Sequence, residues 1–435
     1  MADVTASSAH SPGTAPAQTL AQKLVARAAG RDHVVPGEIV TCRVDLAMMH
    51  DSGGPRRVGP MLAQLRAQVW DPSRVVIITD HYVPARDDES RRIVAIAREF
   101  AAARGVRRLH DEMGICHVVL PEQGHLKPGM FVVGGDSHSP TGGAFGCYMF
   151  GIGATEMTAV LVTGEIWLRV PHTIRIEWDG AFGDGVAAKD AMLHAITALG
   201  MDGGRYEAVE YAGSAVRGLS MRERMTMANM TAELGGQTGL FTPDATTREF
   251  LADAGVDEVD LDTWQGDAGA AMLATHRFDA SALAPQVAAP HSPANAAAVD
   301  AHAGTRITAA YIGACTGAKL DDLRMAARVL RGRRRAADVR LMVAPASLRD
   351  QEIARGEGVL QALLDAGAEL LPTACGACAG YGVHRFADDD VVISSTARNF
   401  RGRMGAPGSR VYLASPYTVA ASAVAGAIAD PRDFL

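Results

Sequence analysis

The sequence predicts an α/β protein built on buried parallel strands, and three features carry that prediction. Short apolar runs, Val75 to Ile78, Phe131 to Val133 and Val391 to Ser394, have the length and β-branched content of strands covered on both faces. Each run empties into a loop of glycine with histidine, aspartate or arginine, which is where α/β sheets carry their chemistry. Glycine is abundant at 46 residues while aromatics are only 5%, a mix suited to many tight backbone loops. At 435 residues the chain exceeds one ordinary core, so two or three domains are expected.

Residues 1–18 offer little to bury and read as a disordered tail. A first α/β domain is expected over 19–171. It opens on a helix carrying Leu20, Leu24 and Val25 on one face, followed by the turn Pro36-Gly37 and the alternating strand Ile39 to Val44. The run Val75 to Ile78 leads to Thr79-Asp80-His81, and a helix follows from Asp88 to Arg104. Gly114-Ile-Cys-His117 comes next, then Phe131 to Val133 running into Gly134-Gly-Asp136-Ser137-His138. A helix is predicted from Ala154 to about Leu168. The pattern changes near Pro171, and 172–285 reads as a second, smaller α/β domain. Within it, Asn229 and Glu233 stand four apart and are placed on one helical face. Residues 286–304, rich in Ala, Pro and polar side chains, read as a linker. The third α/β domain, 305–435, carries Cys315, a helix from Leu320 to Arg331, the strand Val339 to Val343, and a helix through about Ala366. It goes on to Cys375 and Cys378, the strand Val391 to Ser394 and a closing helix from Pro416 to Ala429.

Composition narrows the function classes. A net charge of −7 argues against non-specific nucleic-acid binding, and the basic run Arg331 to Arg335 reads as a solvated helix end. No apolar run of about 18 residues appears, so no membrane span is expected. Six cysteines without a signal-peptide pattern suit free thiols in a cytoplasmic protein.

Chemistry concentrates in two sets. Thr373-Ala-Cys-Gly-Ala-Cys-Ala-Gly380 and Tyr311-Ile-Gly-Ala-Cys-Thr-Gly317 surround cysteine with small residues, which lets backbone N–H groups approach a bulky anionic group. Three sulfur ligands, Cys315, Cys375 and Cys378, would leave one position of a four-metal cluster open for Lewis-acid chemistry. On residue types alone a metal site and a buried or redox thiol pair stand level. The second set is His81, His117 and His138, which follow one another with Asp80, Asp136 and Ser137 alongside. An aspartate beside a histidine fixes its tautomer and raises its pKa, as acid–base work requires; zinc ligation by the three histidines is the competing reading. Arg398, Arg401 and Arg403 in a glycine-punctuated loop suit carboxylate or phosphate capture. Cys42, Cys116 and Cys147 read as structural.

Taken together these segments, from about Leu20 to the end, resemble the aconitase superfamily, and within it most closely the large subunit of 3-isopropylmalate dehydratase and its archaeal-type, homoaconitase-like homologues. The resemblance implies three α/β/α domains without the swivel domain, around a [4Fe–4S] cluster on Cys315, Cys375 and Cys378. It implies an iron–sulfur hydro-lyase acting on a malate-type hydroxy acid, 3-isopropylmalate first among them, with a role in leucine biosynthesis. By position, His81 oriented by Asp80 would be the acid for the leaving hydroxyl, His117 would pair with Asp136, and His138 with Glu233. Arg398 and Arg403 would clamp carboxylates, and Ser137 and Asn229 would bind substrate. The family's proton-abstracting base is a serine on a swivel domain for which the chain has no room, so a small-subunit partner is implied. Two departures stand out: Gly317 follows Cys-Thr where the family usually has Asn, and Ala397 stands where Asn is common. They leave related substrates open, among them dimethylmalate, citraconate or maleate, and homoaconitate. A non-catalytic, cluster-binding paralogue is the reading from a different class.

Overall fold

The computed structural model describes residues 16–381 and 385–435. The tail expected over 1–18 falls mostly outside these residues, but its end does not. Gln18 and Thr19 are buried, Gln18 is hydrogen-bonded to Asp267, and Thr19 caps the helix Leu20–Ala28 through a capping box with Gln22.

Three main sheets organise the chain. The first has five parallel strands in the order Arg108–Asp111, Val75–Thr79, Leu46–His50, Phe131–Gly134, Tyr148–Gly151. The three central strands, Val75–Thr79, Leu46–His50 and Phe131–Gly134, are buried at every position, as strands covered on both faces must be. The second sheet has four parallel strands between Thr173 and Asp279. The third has seven strands, with Ala309–Ile312 in its interior between Val391–Ser394 and Arg340–Val343. An antiparallel ribbon of Ile39–Arg43 and Glu165–Arg169 stands apart from them.

Several expected elements change. The segment 286–304 is not a linker: Gln286–Ala288 and Ala296–Ala298 extend the third sheet as antiparallel strands, the second forming its edge, and Val287 is fully buried. The helix expected from Ala154 to about Leu168 stops at Thr163, where Gly164 takes a left-handed conformation and the chain turns into the strand Glu165–Arg169. The helix carrying Asn229 ends at Met230, so Glu233 lies in the following turn rather than on the same helical face. The stretch expected as one helix through Ala366 is two, Leu348–Gly356 and Val359–Asp365, and the closing helix ends at Ala425.

The first and third sheets turn the C-terminal ends of their strands toward each other. Main-chain hydrogen bonds close this seam: Ile115 N to Ala346 O at 2.8 Å, Leu348 N to Met113 O at 2.9 Å and Cys375 N to Asp80 O at 2.8 Å. Loops after the strands of both sheets therefore share one crevice, which is where parallel sheets place ligands.

Candidate active site

Asp80 and His81 follow the strand Val75–Thr79 directly, which fixes where they emerge. Asp80 Oδ1 lies 2.6 Å from His81 Nδ1, and Asp80 Oδ2 accepts from the Cys116 main chain at 2.7 Å. Burial opposes the charged His81 ring, but the carboxylates of Asp80, Asp136 and Asp51 outweigh it and push the pKa up to about 10. His81 is therefore an imidazolium at neutral pH, with Nδ1 occupied and, among the described residues, no hydrogen-bond partner at Nε2. Sequence reasoning passed over its neighbour His50, whose ring stacks on His81 at 4.2 Å. His50 Nδ1 accepts from Gly53 N and Nε2 donates to Gly135 O, so the ring is neutral, and burial together with the His81 charge lowers its pKa. Asp51 was passed over too; its carboxylate accepts from the main chains of His81 and Tyr82 and shapes the loop. Both lie at the end of another buried strand, Leu46–His50, a signal the sequence did carry.

The second group gathers around Asp136. His117 Nε2 lies 2.8 Å from Asp136 Oδ1, which also accepts from His138 N at 2.8 Å. Burial raises the Asp136 carboxyl pKa, but the bonds from His117 and His138 overcome it and hold the group well below its usual range. His138 Nε2 is 3.0 Å from Glu233 Oε1, and Glu233 also accepts from Arg398 Nε at 2.5 Å. Arg398 reaches Ser137 Oγ at 3.0 Å with another nitrogen. So the turn after Met230, the loop after Gly134 and the loop after Ser394 meet in one charge-paired chain.

The histidines do not form the three-ligand zinc set. Their ligand atoms fall into two groups among the described residues, His50, Asp51, Asp80 and His81 in one and His117, Asp136 and His138 in the other. The rings of His81, His117 and His138 are each already paired with a carboxylate.

Cys315 follows the strand Ala309–Ile312 and Cys375 and Cys378 follow Glu369–Leu370, in the third sheet. The hydrogen bond between Cys375 and Cys378 pulls Cys378 down to about 6, aided by the guanidinium groups of Arg403 and Arg398 and by His138, and raises Cys375 correspondingly. Burial, reinforced by Cys378, pushes Cys315 up to about 12. Asn229, expected to bind substrate, turns its amide nitrogen to sulfur, Nδ2 donating to Cys315 Sγ at 3.1 Å and to Thr141 Oγ1 at 2.9 Å, while Oδ1 has no partner among the described residues. Arg403 is also partly committed, its Nε donating to Cys378 O at 2.9 Å. The donor chemistry fits a sulfur-ligated metal group, with a thiolate-forming pair, a third thiol and cationic side chains to offset the charge. Buried polar atoms are costly without a partner, and among the described residues three at this site have none: His117 Nδ1, Asn229 Oδ1 and Glu233 Oε2. A ligand with its own polar groups would complete them.

Lys189, absent from the site residues predicted above, is fully buried beside the Cys315 and Arg398 loops. Burial lowers its pKa to about 8.

The family model described as the aconitase family (aconitate hydratase) matches residues 22–306 and 300–426. The chain is 42% identical to 3-isopropylmalate dehydratase large subunit 1 of Methanopyrus kandleri, over 96% of this chain and 100% of that protein. It is 40% identical to a probable methanogen homoaconitase large subunit of Methanothermobacter thermautotrophicus, over 95% and 97% of the two chains. It is 39% identical to the 3-isopropylmalate dehydratase large subunit of a Sulfurihydrogenibium species, over 95% and 96%. With the sheets, the paired histidines and the three cysteines already in view, this near full-length likeness places the chain in the aconitase family.

Proposed function

We propose that this chain is the catalytic large subunit of an iron–sulfur hydro-lyase that dehydrates and rehydrates a malate-type hydroxy acid, with 3-isopropylmalate as the leading substrate. The observation that carries the reading is the Asp80–His81 pair, held protonated at neutral pH against the cysteine loop through Cys375 N to Asp80 O. Cys315, Cys375 and Cys378 would hold a [4Fe–4S] cluster, which when bound supplies a Lewis-acidic iron that polarises the hydroxyl of the substrate. His81 gives the proton on Nε2 to the departing hydroxyl, which leaves as water, and Asp80 stabilises the ring in both protonation states. Arg398, fixed by Glu233 and Ser137, presents its guanidinium to a substrate carboxylate, and Arg403 holds the Cys378 turn beside it. His117 and His138 order the substrate from the opposite side through Asp136 and Glu233. The α-proton goes to a base on a small swivel-domain subunit; the relatives are named as large subunits, which supports that partner.

A second reading changes only the substrate. Gly317 and Ala397 remove two amide side chains from the rim of the Arg398 loop, which favours a related acid such as a homoaconitate- or dimethylmalate-type compound. The test is anaerobic reconstitution of the chain with iron and sulfide, mixing with the small subunit, and following the ultraviolet absorption of the unsaturated product for each acid in turn. Turnover of 3-isopropylmalate above the others supports the first reading, and preference for another of these acids supports the second. A reconstituted complex that turns over none of them leaves the non-catalytic paralogue.

A further inference from the structure

Lys189 lies in the first turn of the helix Ala188–Leu199, which packs between the helix Met221–Met230 and the strands Gln286–Ala288 and Ala296–Ala298, and its ammonium is spent on loops of the third sheet. The residue is only 1% exposed. Nζ donates to Thr396 O at 2.7 Å and Ser395 O at 2.9 Å, with Thr316 Oγ1 at 3.4 Å. All three partners are uncharged, and among the described residues no carboxylate lies within ion-pair distance. Burying a full charge to hold neutral oxygens is expensive, so packing alone does not call for it.

The three partners belong to the two loops that matter most to the site. Thr316 follows Cys315, and Ser395 and Thr396 lead into Arg398. The loops touch at this joint: Thr316 Oγ1 donates to Ser395 O at 3.0 Å, and Gly313 N donates to Ser395 Oγ at 2.9 Å. Gly317 makes the approach feasible, because a Cβ there would collide with the side chain and carbonyl of Ser395. Lys189 closes the joint from a third element, so neither loop can shift without breaking a bond to a buried charge.

Building on the function proposed above, we propose that Lys189 is a positioning residue that fixes the separation between the cysteine set and the Arg398 guanidinium. It acts through Arg398: the clamp sets the span over which an acid's hydroxyl and its carboxylate are held at once. Misplacing a carboxylate clamp by about an ångström weakens capture strongly.

The test compares K189M, R398A and the double variant in the reconstituted complex with the small subunit, alongside hydrogen exchange of the full chain. K189M is expected to speed amide exchange across 395–403 while leaving the closing helix protected. It should raise KM for the hydroxy acid about tenfold with kcat within about threefold and iron content unchanged. The double variant should show the same KM as R398A alone, because the two residues act as one unit. Wild-type exchange across 395–403 in K189M, or losses that multiply in the double variant, would overturn the proposal. If K189M does not fold, K189Q, whose amide reaches part of the way, is expected to give the same pattern at about threefold, and its absence counts equally against the clamp. If the wild-type complex turns over no hydroxy acid, the function proposed above fails while the exchange measurement still decides whether Lys189 holds the loop.

Discussion

In the proposed reaction, the contact between His81 and Asp80 sets the pH range. The acid must be protonated to act, and its folded pKa is raised from 6.5 to about 10 despite burial. Dehydration through kcat/KM is therefore expected to be flat across neutral pH and to fall only as pH rises through that value. Asp80→Asn removes the carboxylate that outweighs burial, so the alkaline limb should move down by several units; a limb left in place would take His81 out of the acid role. His81→Ala should keep its iron and lose about 10²- to 10⁴-fold in kcat, read in the same assay. Gly317 poses a steric question rather than an electrostatic one. Gly317→Asn, which restores the residue usual in the family, must displace Ser395, so it should lower stability by about 1–3 kcal/mol in urea unfolding. An unchanged midpoint would mean that the joint is looser than its contacts imply.

At the scale of elements, what the sequence made legible follows from how strongly each segment is patterned. Val75–Thr79, Val391–Ser394 and the helix Asp88–Arg104, capped by Asp87 and closed by a left-handed Gly105, were readable because apolar runs and caps are local signals. The strands Gln286–Ala288 and Ala296–Ala298 were not: each is three residues long, the second is all alanine, and the partner that joins the first to the sheet, Arg410–Ala414, lies far along the chain. The same limit hid Lys189, whose partners are more than a hundred residues away. The pairings of His81, His117 and His138 with acidic residues were legible through the motif resemblance, whereas the commitment of Asn229 to Cys315 was not, because a side chain's target depends on packing. The sheet assignment of Val287 can be checked directly. Val287→Ala deletes two buried methyl groups and should cost about 2 kcal/mol in urea unfolding. In a solvated linker it would cost nothing measurable.

On the scale of the whole molecule, the three sheets do one thing that none could do alone. The first brings acid–base pairs, the third brings thiols and the arginine loop, and the second sends Lys189 between them, with Glu233 following from the turn after its helix Met221–Met230. A site assembled from strand ends of separate sheets is rigid on its protein side and open where the sheets do not meet, and the proposed swivel-domain subunit would cover that opening. Two separable losses follow. Cys375→Ser should reduce iron from about four per chain to near zero and abolish the visible absorption band. Cys147→Ser, whose buried sulfur is hydrogen-bonded to the Lys127 carbonyl in the first sheet's lobe, should keep both. The reconstituted large chain alone should bind its cluster yet turn over at least about a hundredfold more slowly than the complex, because general-base help of that order is missing. Adding the small subunit should restore activity to the wild type and to Cys147→Ser but not to Cys375→Ser. Full turnover by the isolated, cluster-loaded chain would show that the base lies within these 435 residues and would remove the partner from the mechanism.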